Sequence, residues 1–271
     1  MSALADAGTV VFDVDGTLVL SADPNTGGGV RALPGAAEVL EWLRAHGKPF
    51  VCFTNGTGQT PRGLAAKLRA AGLPVSDEQA LTPASVAAEH IRTTYPGEAV
   101  LAFGNEGLLQ PLRDAGVAMA DLNDAERVRV VLIGADPDFT YVKLTAACKA
   151  VWAGAPLLVT SMAPYFASSG GRLPSTSGAI AAGIHHVTGV EPIVVGKPSP
   201  LVLHACAALL DTTPGDLVVV GDDVRLEIRM AREAGARAIM VLTGSSSEAD
   251  VAATPEHLRP EVVVGSVRDL I

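Results

Sequence analysis

Val10-Val11-Phe12-Asp13-Val14-Asp15-Gly16-Thr17-Leu18 is an apolar run that ends in two aspartates one residue apart. Residues 10–14 read as a buried strand. A carboxylate at the end of such a strand is costly unless a metal, hydrogen bonds or chemistry compensates, so two together mark a site and not a core. Outward from this stretch, short aliphatic runs alternate with helix-period segments, the signature of βαβ units. A helix is predicted over 36–45, with Pro34 near its start and Gly47 just beyond its end. A strand follows over 50–54, then a helix over 61–71 stopped at Gly72. A second series begins with a helix from Pro83, a strand over 99–103, a helix from Glu106, a strand over 128–133 and a helix from Tyr141. Residues 164–178, rich in Gly, Ser and Pro, read as one long functional loop. After a helix near 179–187, strands over 193–195, 217–220 and 238–242 are expected to resume the first series near residue 190. No internal repeat interrupts this order.

Composition supports two α/β domains. The 271 residues exceed the usual single-domain size, and the interior must be largely aliphatic, since 48% of residues are hydrophobic but only 4% aromatic. A net charge of −9 without a Lys/Arg block argues against nucleic acid as a partner. No apolar stretch reaches the about 18 residues of a spanning helix, and the N-terminus lacks a basic, then apolar, leader. The expectation is therefore no membrane partner and a cytoplasmic location. Cys52, Cys148 and Cys206 are odd in number and far apart in apolar contexts, as packed free thiols are.

Four polar stations fall at the ends of strands assigned to the first series: Asp13 with Asp15, Thr54 with Asn55, Lys197 after Val194-Val195-Gly196, and Asp222 with Asp223 after Val218-Val219-Val220-Gly221. Ligands of open parallel sheets bind outside the carboxyl ends of the strands, where such stations can converge. Carboxylates suit a hard divalent cation, while a hydroxyl, an amide and an ammonium suit phosphate oxygens. Taken singly, each station also has a local backbone reading as a cap or turn. Four in this order are harder to explain that way.

Asp13-Val14-Asp15-Gly16-Thr17-Leu18, Thr54-Asn55, Lys197-Pro198 and Gly221-Asp222-Asp223 resemble the four ordered motifs of the haloacid dehalogenase (HAD) superfamily of phosphatases. Asp136-Pro137-Asp138-Phe139-Thr140-Tyr141-Val142-Lys143-Leu144 and Gly196-Lys197-Pro198-Ser199-Pro200 are similar to the class IIA branch, the NagD-like, p-nitrophenyl-phosphatase and phosphoglycolate-phosphatase group. The resemblance implies a Rossmann-like parallel-sheet core over 1–80 and 190–271 and an inserted α/β cap of the C2 type over 81–189 that selects the substrate. It implies Asp13 as nucleophile and Asp15 as general acid and base. Mg²⁺ would be held by Asp13, the Asp15 carbonyl and Asp222. Thr54, the amides around Asn55 and Gly56, and Lys197 would bind the phosphoryl group. The spacing puts Glu227 where the family's last motif usually has a second Asp, so Glu227 either reaches the metal through water or supports Lys197, and Asp223 competes with it. Related caps often carry Thr-Asn where this chain has Thr160-Ser161-Met162-Ala163, so a relative's substrate does not transfer.

Other features are discounted. Gly27-Gly28-Gly29 lacks the strand-to-helix context of a dinucleotide fingerprint. His185 and His186, adjacent on a predicted helix, point about 100° apart and cannot share one metal well. Ser177 and Ser199 lack a His/Asp partner set. The reading is a Mg²⁺-dependent phosphatase of small-molecule phosphate monoesters that works through an aspartyl-phosphate, with room for a homodimer through the cap. A catalytically silent phosphometabolite-binding protein and a phosphotransferase to a non-water acceptor stay open as alternatives.

Overall fold

The computed structural model describes residues 3–21, 29–168 and 171–271. Gly27 and Gly28 of the triple-glycine run lie outside them. By contact density the chain forms two units, one of Met1–Thr54, Arg62–Leu81 and Lys197–Ile271, the other of Asn55–Pro61 and Thr82–Gly196.

The first unit opens with β1 (Thr9–Asp13), the antiparallel pair β2 (Val19–Ser21) and β3 (Val30–Ala32), α1 (Ala36–Ala45), β4 (Phe50–Phe53), α2 (Pro61–Ala70) and β5 (Ala80–Leu81). The second unit contains α3 (Pro83–Thr94), β6 (Val100–Phe103), α4 (Glu106–Asp114), β7 (Val130–Ile133), α5 (Tyr141–Trp152), β8 (Leu157–Val159), β9 (Tyr165–Ser168), β10 (Gly171–Pro174), α6 (Thr176–Thr188) and β11 (Ile193–Val194). The first unit is then completed by α7 (Leu201–Leu209), β12 (Leu217–Gly221), α8 (Arg229–Glu233), β13 (Arg237–Val241), α9 (Glu248–Ala253) and β14 (Val262–Val264).

The sheet of the first unit is parallel, in the order β14-β13-β12-β1-β4-β5. Its central strands are mainly apolar, and every residue of β1 and β12 is buried, as expected for strands covered on both faces. α1 forms because Ala36, Val39, Leu40 and Leu43 recur at helical spacing, and that stripe is the buried one. The edge of the Phe50 ring meets Phe12 at a centroid distance of 6.3 Å within this core. The second unit has its own parallel sheet, β11-β8-β7-β6, and its own aliphatic core around Val131, Ile133, Leu157 and Ile184.

Three expectations are corrected. The 164–178 stretch is not one loop: β9 and β10 pair as an antiparallel hairpin, with Tyr165 opposite Pro174 and Ser168 opposite Gly171. Tyr165-Phe166 is strand-forming, and two residues, Ser169 and Gly170, separate the runs, which is hairpin spacing; the Ser/Gly/Pro richness masked it. α6 then begins at Thr176, earlier than expected, because the Ser175 side chain caps it by accepting from the Gly178 amide at 3.4 Å. The strand at 193–194 belongs to the second unit's sheet, where Ile193 and Val194 pair with Leu158 and Val159, so the first unit resumes at Lys197 and not near 190. A two-residue apolar run carries no information about which sheet it joins.

The packing predicts a clear contrast on α1. Leu40→Ala, which empties a fully buried position, should lower stability to urea by about 3 kcal/mol, whereas the exposed neighbour Glu41→Ala should stay within about 0.5 kcal/mol.

Candidate active site

Within the first sheet the chain leaves β1 toward β4 and β5 on one side, while β12 leads to β13 and β14 on the other. The strand order therefore reverses between β1 and β12, the position where open parallel sheets bind ligands. Asp13 is the last residue of β1, and Asp222 follows the last residue of β12.

Lys197 reaches this place from the start of the returning segment. Its Nζ pairs with Asp13 Oδ1 and, at 2.5 Å, with Glu227 Oε1. The three side chains are 3–5% exposed, and the Phe53 ring centroid lies 5.6 Å from the ammonium. Burial pushes the Lys197 pKa down, but Asp13 and Glu227 outweigh it and hold the ammonium above the usual lysine range. Burial pushes the Asp13 carboxyl well above the usual carboxylate range against the pull of Lys197, with Glu227 and Asp222 adding to the rise. Glu227 is raised for the same first reason, again against Lys197. Glu227 gets there through a single π turn, Val224–Ile228, and its Oε2 accepts the Asp223 amide at 3.2 Å.

Asp222 is buried. Its Oδ2 accepts both the amide and the hydroxyl of Ser245, at 2.6 and 2.7 Å, and among the described residues its Oδ1 accepts only the Thr17 hydroxyl, at 3.4 Å. Gly16 sits at φ 90°, and a Cβ there would stand 2.7 Å from Asp222 Oδ2, so both the turn and the close approach require glycine. Asp15 is exposed, and its Oδ2 accepts the Thr54 hydroxyl at 2.9 Å. Asp223 is committed elsewhere: it caps the next turn by accepting the Arg225 amide at 2.8 Å and pairs with the Arg225 guanidinium. Asn55 and Gly56 follow Thr54 directly but belong to the second unit, where Asn55 lies against Gly196.

Sequence reading missed Thr17 and the Thr243-Gly244-Ser245-Ser246 loop. The available signal was Gly-Ser-Ser-Ser immediately past the predicted strand at 238–242. The discounted features hold ordinary bonds. His185 Nδ1 meets the Val190 carbonyl and Nε2 lies 3.5 Å from Glu191; Ser177 donates to the Ser161 carbonyl; the Ser199 hydroxyl accepts the Leu201 amide. The three cysteines are free and buried, and burial raises the Cys206 thiol to about 12.

Among the described residues no three His, Cys, Asp or Glu side chains cluster as a metal site. A hard cation at Asp13 and Asp222 would need only two of them plus a main-chain carbonyl, and the donor set suits one. The oxygens are carboxylates, two acidic groups pair with the Lys197 ammonium while Asp222 adds a further negative charge near Asp13, and among the described residues Asp13 Oδ2 is a buried carboxylate oxygen without a hydrogen-bond partner.

Comparison with known proteins agrees with this architecture. The haloacid dehalogenase-like hydrolase family matches residues 10–118, and a HAD-hydrolase-like family matches residues 194–270. Chronophin of Rattus norvegicus is 34% identical over 281 residues, covering 99% of this chain and 88% of that protein. The solved structure of NagD from E. coli K-12 superposes with a TM-score of 0.84 at 30% identity, covering 97% of both chains. A glycerol phosphate phosphatase from Mycobacterium tuberculosis in complex with magnesium gives a TM-score of 0.86 at 27% identity, covering 100% of this chain and 78% of that one. The parallel sheet with acidic strand ends is thus the Rossmann-like core of a haloacid dehalogenase-type hydrolase, interrupted by a second unit. The chain belongs to the haloacid dehalogenase superfamily, in its class IIA branch of phosphatases.

Removing the central cation should expose the electrostatic balance. Lys197→Met strands two buried carboxylates and should destabilise the protein by about 3–5 kcal/mol at pH 7.5. With their pKa values raised further, Asp13 and Glu227 bind more protons folded than unfolded, so the variant's stability rises as pH falls. Urea unfolding should show a smaller deficit relative to wild type at pH 5 than at pH 7.5.

Proposed function

We propose that this chain is a Mg²⁺-dependent phosphatase that hydrolyses a small-molecule phosphate monoester through an aspartyl-phosphate on Asp13. The observation that carries the reading is the Asp13 carboxylate itself: buried at the strand-order reversal, fixed by Lys197 through Oδ1, and with Oδ2 bearing no hydrogen bond among the described residues. A carboxylate held by one oxygen with the other unencumbered is arranged to attack.

In the first half-reaction Asp13 Oδ2 forms a bond to phosphorus as the bond to the leaving oxygen breaks, and Asp15 gives that oxygen its proton. In the second, Asp15 takes a proton from water, the water oxygen attacks phosphorus, and the Asp13–phosphorus bond breaks to release inorganic phosphate. The Thr54 hydroxyl at 2.9 Å holds Asp15 in place for both transfers. Lys197 keeps its charge beside the nucleophile and offers a donor to the phosphoryl oxygens as charge moves onto them. Glu227, paired with Lys197, keeps the ammonium oriented. Asp13, Asp222 and the Asp15 carbonyl are the residues that would hold Mg²⁺, which when bound offsets the repulsion between an anionic nucleophile and an anionic ester.

Selection of the leaving group is assigned to the second unit, since the groups just named address only the phosphate. The net charge of −9 supports a small ester as the partner, with neither nucleic acid nor membrane. Three free buried thiols suit a reducing compartment such as the cytoplasm. Tyr141, Val142 and Trp152, 63–82% exposed on α5, support a homodimer through this unit, which light scattering reads directly.

The test is phosphate release from a panel of sugar, glycolate, glycerol and nucleoside phosphates and p-nitrophenyl phosphate. Wild type should release phosphate with Mg²⁺ and not with EDTA. Asp13→Asn should lose at least roughly a thousandfold in kcat. Acid quench during turnover should trap phosphate on wild type and none on Asp13→Asn. Full activity in Asp13→Asn would sink the mechanism.

A further inference from the structure

Asp222 and Asp223 are adjacent acids at the end of one strand, and only one of them faces the reacting centre. What separates them is the loop after β13. Thr243 Oγ1 donates to the Gly16 carbonyl at 2.6 Å, tying this loop to the turn after Asp15. Ser246 donates its amide to the Asp222 carbonyl at 3.1 Å, and its hydroxyl accepts the Val224 amide at 3.2 Å, so the main chain of 222–224 is gripped on both sides. Gly244 lies flat on the Asp222 carboxyl; a Cβ there would stand 1.8 Å from Oδ2 and 2.4 Å from the carboxyl carbon, closer than any side chain is tolerated.

Ser245 completes the arrangement. Its amide and its hydroxyl converge on one oxygen, Asp222 Oδ2, while its hydroxyl stands 3.4 Å from Asp223 Oδ2. A hydroxyl has one proton to give, and the shorter contact takes it. Two donors on Oδ2 fix the carboxyl plane, saturate that oxygen, and leave Oδ1, among the described residues, with a single long contact to Thr17.

We infer that Ser245 is a positioning residue for the metal site: its two-donor grip on Asp222 Oδ2 presents Oδ1 as the cation's oxygen and makes Asp222, not Asp223, the ligand. The inference rests on the proposed role of Asp222 toward Mg²⁺. Outer-shell partners that orient a ligating carboxylate are worth about 10–100-fold in metal affinity, and here the amide remains after side-chain truncation, so the lower end applies.

The experiment is calorimetric titration of Mg²⁺ alone, with no phosphate ester, into wild type, Ser245→Ala, Ser245→Thr and Asp222→Asn after EDTA treatment and dialysis. Melting temperatures are measured in EDTA alongside. Ser245→Ala should bind Mg²⁺ about tenfold more weakly with an unchanged melting temperature, since Ser245 is exposed, and Ser245→Thr, which restores the hydroxyl, should return the affinity to near wild type. Wild-type affinity in Ser245→Ala together with lost binding in Asp222→Asn overturns the role of Ser245 while leaving the metal site standing. Wild-type affinity in Asp222→Asn overturns the metal assignment, and this inference with it.

Discussion

The buried ammonium of Lys197 is the constraint around which the first unit's site is organised. Two carboxylates buried at the carboxyl ends of the central strands, 3–5% exposed, could not stay ionised together without it, because desolvation and mutual repulsion both favour the protonated forms. One lysine between two acids leaves the group net negative, and Asp222 increases that excess. A site with this balance draws positive charge toward it, which is the electrostatic condition for binding a divalent cation and for tolerating a phosphate next to a carboxylate only when that cation is present. The same lysine thus serves the stability of the sheet and the ionisation state of the group at the end of β1.

The geometry around this charge comes mainly from backbone economy. Gly16 and Gly244 bring two turns against the Asp222 carboxyl where no side chain would fit. The π turn after Asp223 spends one residue more than an α turn, and the result is that Glu227 folds back toward Lys197 while Asp223 stays with Arg225. Two neighbouring acids and a third five positions after Asp222 therefore take three different jobs.

Much of this was legible in the sequence, for identifiable reasons. Residues 10–12 of β1, the whole of β4 and residues 217–220 of β12 are continuous apolar runs, and a run buried on both faces announces itself without any periodicity. The polar residues that follow them, Asp13, Thr54 and Asp222, stand out because the preceding residues are so uniformly apolar. What was not legible depended on partners distant in the chain. The two residues of β11 join a different sheet from the one expected, since pairing with Leu158 and Val159 is a tertiary choice. The division of labour among Asp223, Glu227 and Lys197 needed the turn type, which spacing alone does not specify. Ser245 was invisible as a contributor because a run of serines after a strand normally means only a solvated loop.

The pairing of Thr9 with Leu217 through Phe12 with Val220 has a consequence for biosynthesis. β1 precedes the whole second unit in chain order, yet one of its two neighbours in the sheet, β12, follows that unit and is synthesised only after it. Until β12 arrives, a strand with a Val10-Val11-Phe12 centre offers an unpaired edge, the kind of edge that templates aggregation. The sheet whose strand β1 ends in Asp13 is therefore completed late, and the edge of β1 that β12 covers stays open for as long as the second unit takes to be made.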